Sequence, residues 1–210
     1  MPSSDTIIYI LDLSGTFAFA VSGALAASKK RFDLFGILFI GFITAVGGGT
    51  TRDVILGLTP VFWIKDISYL LVIISAVVIT LVFSRRVAAL NKSLLFFDAI
   101  GIGVFTLIGV EKSTALEIAP VFAVMMGVLT AVMGGVLRDV FVNEIPLIFH
   151  KEIYATACFI GGIIYFTLVH LDIDKNIIYL VTMSVIIALR LSSIYFGWSL
   201  PKAGDKKVDD

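Results

Sequence analysis

The sequence predicts an all-α, polytopic membrane protein: seven transmembrane helices built as two inverted three-helix repeats plus a seventh helix. Three observations lead there. Of 210 residues, 59% are hydrophobic and 15% charged, with a mean hydropathy of +1.04, whereas in soluble domains about a quarter of residues are charged. Apolar runs of about 20 residues, the length that crosses a bilayer core, recur along the chain. And the chain repeats itself at an offset of 86 residues.

The runs cover roughly 6–28, 33–57, 66–84, 94–112, 117–142, 152–170 and 176–197. This gives one transmembrane domain over 1–200, with repeat one at 6–84, repeat two at 94–170 and the seventh helix at 176–197, followed by a polar tail over 201–210. Ala24-Leu25-Ala26 imitates a signal-peptidase site, but the basic residues Lys29, Lys30 and Arg31 follow the first run instead of preceding it. That pattern fits a retained first helix entering with its N-terminus outside. The same orientation puts ten loop and tail Lys/Arg inside (Lys29, Lys30, Arg31, Arg85, Arg86, Lys92, Lys151, Lys202, Lys206, Lys207) against three outside, Lys65, Lys112 and Lys175. This asymmetry is the positive-inside rule, with a cytoplasmic C-terminus. Lys29–Arg31 and Arg85–Arg86 are also candidates for holding anionic lipid headgroups.

A net charge of zero gives no reason to expect nucleic acid as a partner. The single cysteine, Cys158, excludes an internal disulfide, and His150 and His170 stand apart without metal-ligand spacing. No nucleophile–base or metal constellation appears, so neither an enzyme nor a cofactor is expected.

With the 86-residue shift, Asp12 falls on Asp98, Gly15 on Gly101, Phe19 on Phe105, Gly23 on Gly109 and Gly41 on Gly127. "TAVGGGTTRDV" (44–54) falls on "TAVMGGVLRDV" (130–140), and Pro60 on Pro146. From 12 to 67 there are 16 identities in 56 ungapped positions. Three spans per copy is an odd number, so the second copy enters from the opposite side. Inverted repeats of this kind place their site near the midplane, at discontinuous helices. Gly47, Gly48 and Gly49 and their counterparts Gly134 and Gly135 mark the middles of the second and fifth spans and are the expected break points. A break would free carbonyls able to solvate a monovalent cation, with Thr44 and Thr130 one turn earlier adding hydroxyls. The competing reading is that the glycines permit close helix packing. Small faces for such packing also occur at Ser14, Ala18 and Ser22, and at Gly101, Gly103 and Gly109.

Intramembrane charges default to function. Counting about 1.5 Å per residue from each span's centre puts Asp12 and Arg52 at one depth, about 7 Å from the midplane, and Asp98 and Arg138 at the matching depth on the other side. Two ion pairs are expected, Asp12 with Arg52 and Asp98 with Arg138, serving as a gate or a clamp. Asp53 and Asp139 adjoin the arginines in sequence. They should therefore point about 100° away, capping a break or facing another helix. Arg190, without a repeat counterpart, is expected to snorkel to the inner interface.

The two copies of Gly-Gly-x-x-Arg-Asp in a seven-span chain resemble the trimeric intracellular cation channels. The likeness is closest to their prokaryotic members, including the bacterial branch described as a putative glycine transporter. The resemblance implies a homotrimer in a prokaryotic inner membrane. Each protomer would hold a pore between kinked helices two and five, permeable to potassium and sodium, with bound lipid as a further partner. The Lys-Glu-Val signature of animal members is absent. The alternatives that remain are a secondary transporter of a small zwitterion such as glycine, with a half-helix N-terminus or Arg52 holding the carboxylate and Asp12 or Asp98 the ammonium, and a membrane scaffold with its charges as glue.

Overall fold

The structure, a computed structural model, describes residues 4–83, 92–149 and 153–198. The basic residues Arg85, Arg86 and Lys151, His150 and the tail over 201–210 lie outside the described residues. Among the described residues seven α-helices follow one another: α1 (Ser4–Lys29), α2 (Leu34–Ile55), α3 (Ile67–Val82), α4 (Ser93–Ala115), α5 (Pro120–Phe141), α6 (Ala155–His170) and α7 (Lys175–Phe196). Short 3₁₀ turns, Phe62–Ile64 and Leu147–Phe149, precede α3 and α6. Helix starts carry the expected caps. Asp33, Asp66 and Asp174 accept the N–H of Gly36, Ser68 and Asn176, which relieves donors that have no intrahelical partner. Pro120 opens α5, where a missing N–H costs nothing.

Five helices are long and apolar enough to cross a membrane. The other two, α3 and α6, have 16 residues each, about 24 Å of helix, so they are shorter than the runs 66–84 and 152–170 suggest.

The 86-residue offset is visible in the geometry. α2 and α5 begin and end at equivalent positions. The turn after α1 has Arg31 at φ 59° and the turn after α4 has Glu117 at φ 58°. Gly57 at φ 69° after α2 is matched by Asn143 at φ 57° after α5, a left-handed conformation that glycine and asparagine tolerate best. The closing bonds match too: Leu58 N donates to Asp53 O and Glu144 N to Asp139 O, both at 2.8 Å.

α1, α2, α4 and α5 form the centre; α3 lies on α1, and α7 lies against α4 and α6. Within each repeat the first two helices touch through glycine. A Cβ on Gly23 would meet Ile40 O, Gly41 Cα and Thr44 Oγ1; one on Gly109 would meet Met126 O, Gly127 Cα and Thr130 Oγ1. These are the same contacts one repeat apart, and they use the small-residue approach common among membrane helices.

The surface is apolar, unlike that of a soluble protein, and an interior that is itself mostly apolar holds several charges. Phe35, Leu71, Val78, Val121, Phe122 and Leu180 are exposed, while Asp12, Arg52, Asp53, Asp98, Arg138, Asp139 and Arg190 are buried. An apolar surface of this extent suits lipid rather than water. Charges so placed need partners within the protein.

Candidate functional site

The glycine motifs do not break their helices. α2 runs through Gly47–Gly49 and α5 through Gly134–Gly135 with helical geometry. Glycine costs a helix about 1 kcal/mol per residue, whereas each backbone group left unsatisfied inside a membrane costs several. Keeping the ladder intact is therefore favoured. The glycines instead let α2 and α5 touch backbone to backbone. A Cβ on Gly48 would collide with Thr130 O, and one on Gly134 with Thr44 O. Since Thr44 and Thr130 are themselves equivalent, the contact is reciprocal, as a local two-fold relation between the helices would make it. The threonine hydroxyls donate to their own helices, Thr44 to Ile40 O and Thr130 to Met126 O, each at 2.6 Å.

One charge network lies beside Gly135. Arg138 Nη1 donates to Asp98 Oδ1 at 2.7 Å and to Ser22 Oγ at 2.6 Å, and Arg138 Nε donates to Asp139 Oδ1 at 2.7 Å. Tyr154, at the start of α6, donates its hydroxyl to Asp98 at 3.3 Å. Asp98 and Arg138 are fully buried. α7 holds this network from behind. The guanidinium of Arg190 stacks 4.7 Å from the Tyr154 ring and donates to Ile153 O, while Ser193 Oγ accepts Ile153 N–H. A recess of about 240 Å³ reaches Asp139 between Lys29, Lys30, Glu144 and Leu147.

The equivalent network in the first repeat is arranged differently. Arg52 Nη2 lies 2.6 Å from Asp53 Oδ1, and Arg52 makes no ion pair with Asp12. Asp12 instead accepts the Tyr69 hydroxyl at 3.0 Å, and its Oδ1 has no hydrogen-bond partner. Lys112 and Arg52 are cations that act on Asp12 through space. Both cations flank Phe62, with Lys112 Nζ 5.4 Å and Arg52 Cζ 5.6 Å from its ring centroid.

Four expectations therefore change. The predicted helix breaks are absent, because an intact ladder is cheaper in an apolar medium. The Asp12–Arg52 pair is not formed, because Phe62 fills the space over Gly49: a Cβ there would meet the ring at 2.5 Å. Asp53 and Asp139 do not point away from their arginines, because the long guanidinium reaches around the final helical turn to the nearest buried carboxylate. Arg190 does not snorkel, being fully buried over Tyr154. The expected Asp98–Arg138 pair forms. Asp53 and Asp139 also anchor the chain that follows their helices. Oδ2 of Asp53 accepts Phe62 N–H, and Oδ2 of Asp139 accepts Leu147 N–H, both at 2.9 Å. Each carboxylate thereby ties that chain to the motif arginine.

Reading the sequence alone missed Tyr69, Tyr154 and Phe62 as partners, since an aromatic residue near a membrane interface carries no distinguishing signal. It also passed over Glu111, which sits in α4 and accepts Lys175 Nζ at 2.6 Å and the Tyr165 hydroxyl. A carboxylate within an apolar run was the signal available for it.

The fold and this site define a helical membrane protein with a duplicated core, in which two buried Arg-Asp networks flank a glycine crossing. A family model described as "Glycine transporter" matches residues 9–85 and again 95–170, one match for each repeat. The chain belongs to this family, and it resembles the prokaryotic trimeric intracellular cation channels over more than nine-tenths of its length. A UPF0126 inner membrane protein, YadS, of Escherichia coli strain K12 is 45% identical over 197 residues, covering 93% of this chain and 95% of that one. A UPF0126 membrane protein of Vibrio cholerae is 42% identical, covering 93% and 82%. Among solved structures, a TRIC trimeric intracellular cation channel orthologue from Rhodobacter sphaeroides superposes with a TM-score of 0.87 at 35% identity, over 91% of this chain and 99% of that one. A prokaryotic TRIC channel in 0.5 M KCl gives 0.85 at 31%, covering 93% and 99%.

Proposed function

We propose that the protein is a monovalent-cation channel, permeable to potassium, with a pore in each protomer between α2 and α5. The observation that carries this reading is the reciprocal Gly48–Thr130 and Gly134–Thr44 crossing, with a buried charge network on each side of it. The contact leaves no room for an ion between the helices. Conduction therefore requires α2 and α5 to part there. Parting would expose the carbonyls of Thr44 and Thr130, which are suited to replace a cation's water. The likeness to solved cation channels over nine-tenths of the chain supports the same reading.

The protein is further read as a homotrimer in a prokaryotic inner membrane, with lipid around it. Its N-terminus is outside, and its repeats are inverted about an axis in the membrane plane. Asp12 and the Arg52–Asp53 pair then lie towards the outside and the Asp98–Arg138 network towards the cytoplasm.

The family description favours a second reading, a carrier of a small zwitterion such as glycine. One experiment separates the two. Purified protein in a planar bilayer under asymmetric KCl should give unitary currents reversing near the potassium equilibrium potential, unchanged by glycine. Electrical silence, with labelled glycine accumulating in proteoliposomes, would establish the carrier instead.

A further inference from the structure

The two halves of the site share a sequence but not an arrangement, and the difference has a located cause. Over Gly135, a Cβ would meet the Tyr154 hydroxyl at 2.8 Å, Asp98 Oδ1 at 3.4 Å and Arg138 Nη2 at 3.6 Å, so the Tyr154 hydroxyl and the ion pair it bonds share that space. Over the equivalent Gly49, the phenyl ring of Phe62 occupies it. The 86-residue offset puts the aliphatic Ile148 at Phe62's position, and the residue that takes Phe62's bond to the motif aspartate is the equally aliphatic Leu147. Phe62 also packs edge-on against Tyr69, with centroids 4.7 Å apart, and Tyr69 holds Asp12. Asp12 and its counterpart Asp98 are both buried with one carboxylate oxygen unpaired, but only Asp98 has an arginine on the other; a buried carboxylate without one is costly in a medium of low dielectric. Arg52 is within electrostatic reach but bonds Asp53 alone.

We propose that Phe62 is a retractable wedge. With its ring seated on Gly49, Arg52 is held away from Asp12. With the ring withdrawn, Arg52 bridges Asp12 and Asp53, as Arg138 already bridges Asp98 and Asp139. Internal repeats caught in two arrangements supply a template for each other's second state, and here the second repeat displays the state the first can adopt. The withdrawn state gives the Asp12 carboxylate a charge-assisted hydrogen bond of the kind Asp98 receives from Arg138. The seated state keeps the cations of Arg52 and Lys112 against an aromatic face. Phe62 belongs to the turn after α2 and is tied to Asp53 through its own N–H, so its movement acts directly on the end of a crossing helix. The gating consequence rests on the channel reading; the exchange of partners does not.

Two variants displace the ring without touching a charged group: Phe62→Ile, which installs the repeat counterpart, and Gly49→Ala, whose Cβ would push the flexible end of the ring. Structures of both in lipid nanodiscs should show Arg52 within hydrogen-bond distance of Asp12, near the 2.7 Å of the Asp98–Arg138 pair. Adding Asp12→Asn should lower the melting temperature by about 3 °C more in the Phe62→Ile background than in wild type. Arg52 remaining on Asp53 alone in both variants, or equal losses in both backgrounds, would overturn the wedge. In bilayers, open probability should change by at least about threefold in both variants. An unchanged value with the bridge formed would overturn the gating role. A wild type that passes no current would remove the channel reading, while the Arg52–Asp12 separation would still decide the wedge.

Discussion

Asp98 receives Arg138 at 2.7 Å, while its repeat counterpart Asp12 receives no arginine. The same residue types at the same offset thus carry different energetic weight, and the difference can be measured.

Breaking the Asp98–Arg138 pair leaves a fully buried guanidinium with Asp139 as its one remaining carboxylate partner. Removing one partner of such a pair typically costs about 3–5 kcal/mol. Asp98→Asn should therefore destabilise the solubilised protein strongly in thermal unfolding, with Asp12→Asn costing less than half as much. Equal losses would contradict the asymmetry.

Arg52 has Asp53 as its partner, so compensation should come from that residue. Arg52→Leu leaves the Asp53 carboxylate buried and uncompensated. Adding Asp53→Asn removes that charge while an amide oxygen can still accept Phe62 N–H. The double variant should melt above Arg52→Leu alone, and Asp12→Asn in the same background should recover less. Recovery by Asp12→Asn alone would place the pair where the structure does not.

Gly48→Ala drives a methyl into Thr130 O, a backbone atom that cannot move without its helix. Overpacking of this kind costs about 1–3 kcal/mol. Gly134→Ala should behave alike through Thr44 O. Limited proteolysis or thermal unfolding should report both as destabilised, and a wild-type profile for either would show that the crossing opens readily.

Arg190 stacks on Tyr154 and bonds Ile153 O, a geometry that lysine cannot reproduce. Arg190→Lys should lower the melting temperature measurably. By contrast, Lys30→Ala breaks an exposed pair with Glu144 and should change stability by no more than about 1 kcal/mol. A larger effect for Lys30 than for Arg190 would reverse the reading of α7 as the support of the second network.

The helix count, the duplication and the identity of the buried charges were legible in the chain by itself. The reason is that a bilayer demands long apolar runs, and a charge or a Gly-Gly within one, repeated 86 residues on, stands out against that background. The Asp98–Arg138 pair followed from depth alone, since helical rise converts sequence distance into height. What depth cannot supply is the angle about each helix and the occupant of the space between helices. The tertiary structure decided those. It kept α2 and α5 unbroken because backbone bonds are worth more than glycine's freedom in an apolar medium. It turned Arg52 onto its neighbour Asp53, and it set Phe62 over Gly49 where the other half sets an ion pair. Two copies of one motif became unequal through what packs around them, Phe62 over Gly49 in one half and Ser22 against Arg138 in the other, a difference that no periodicity in the sequence records.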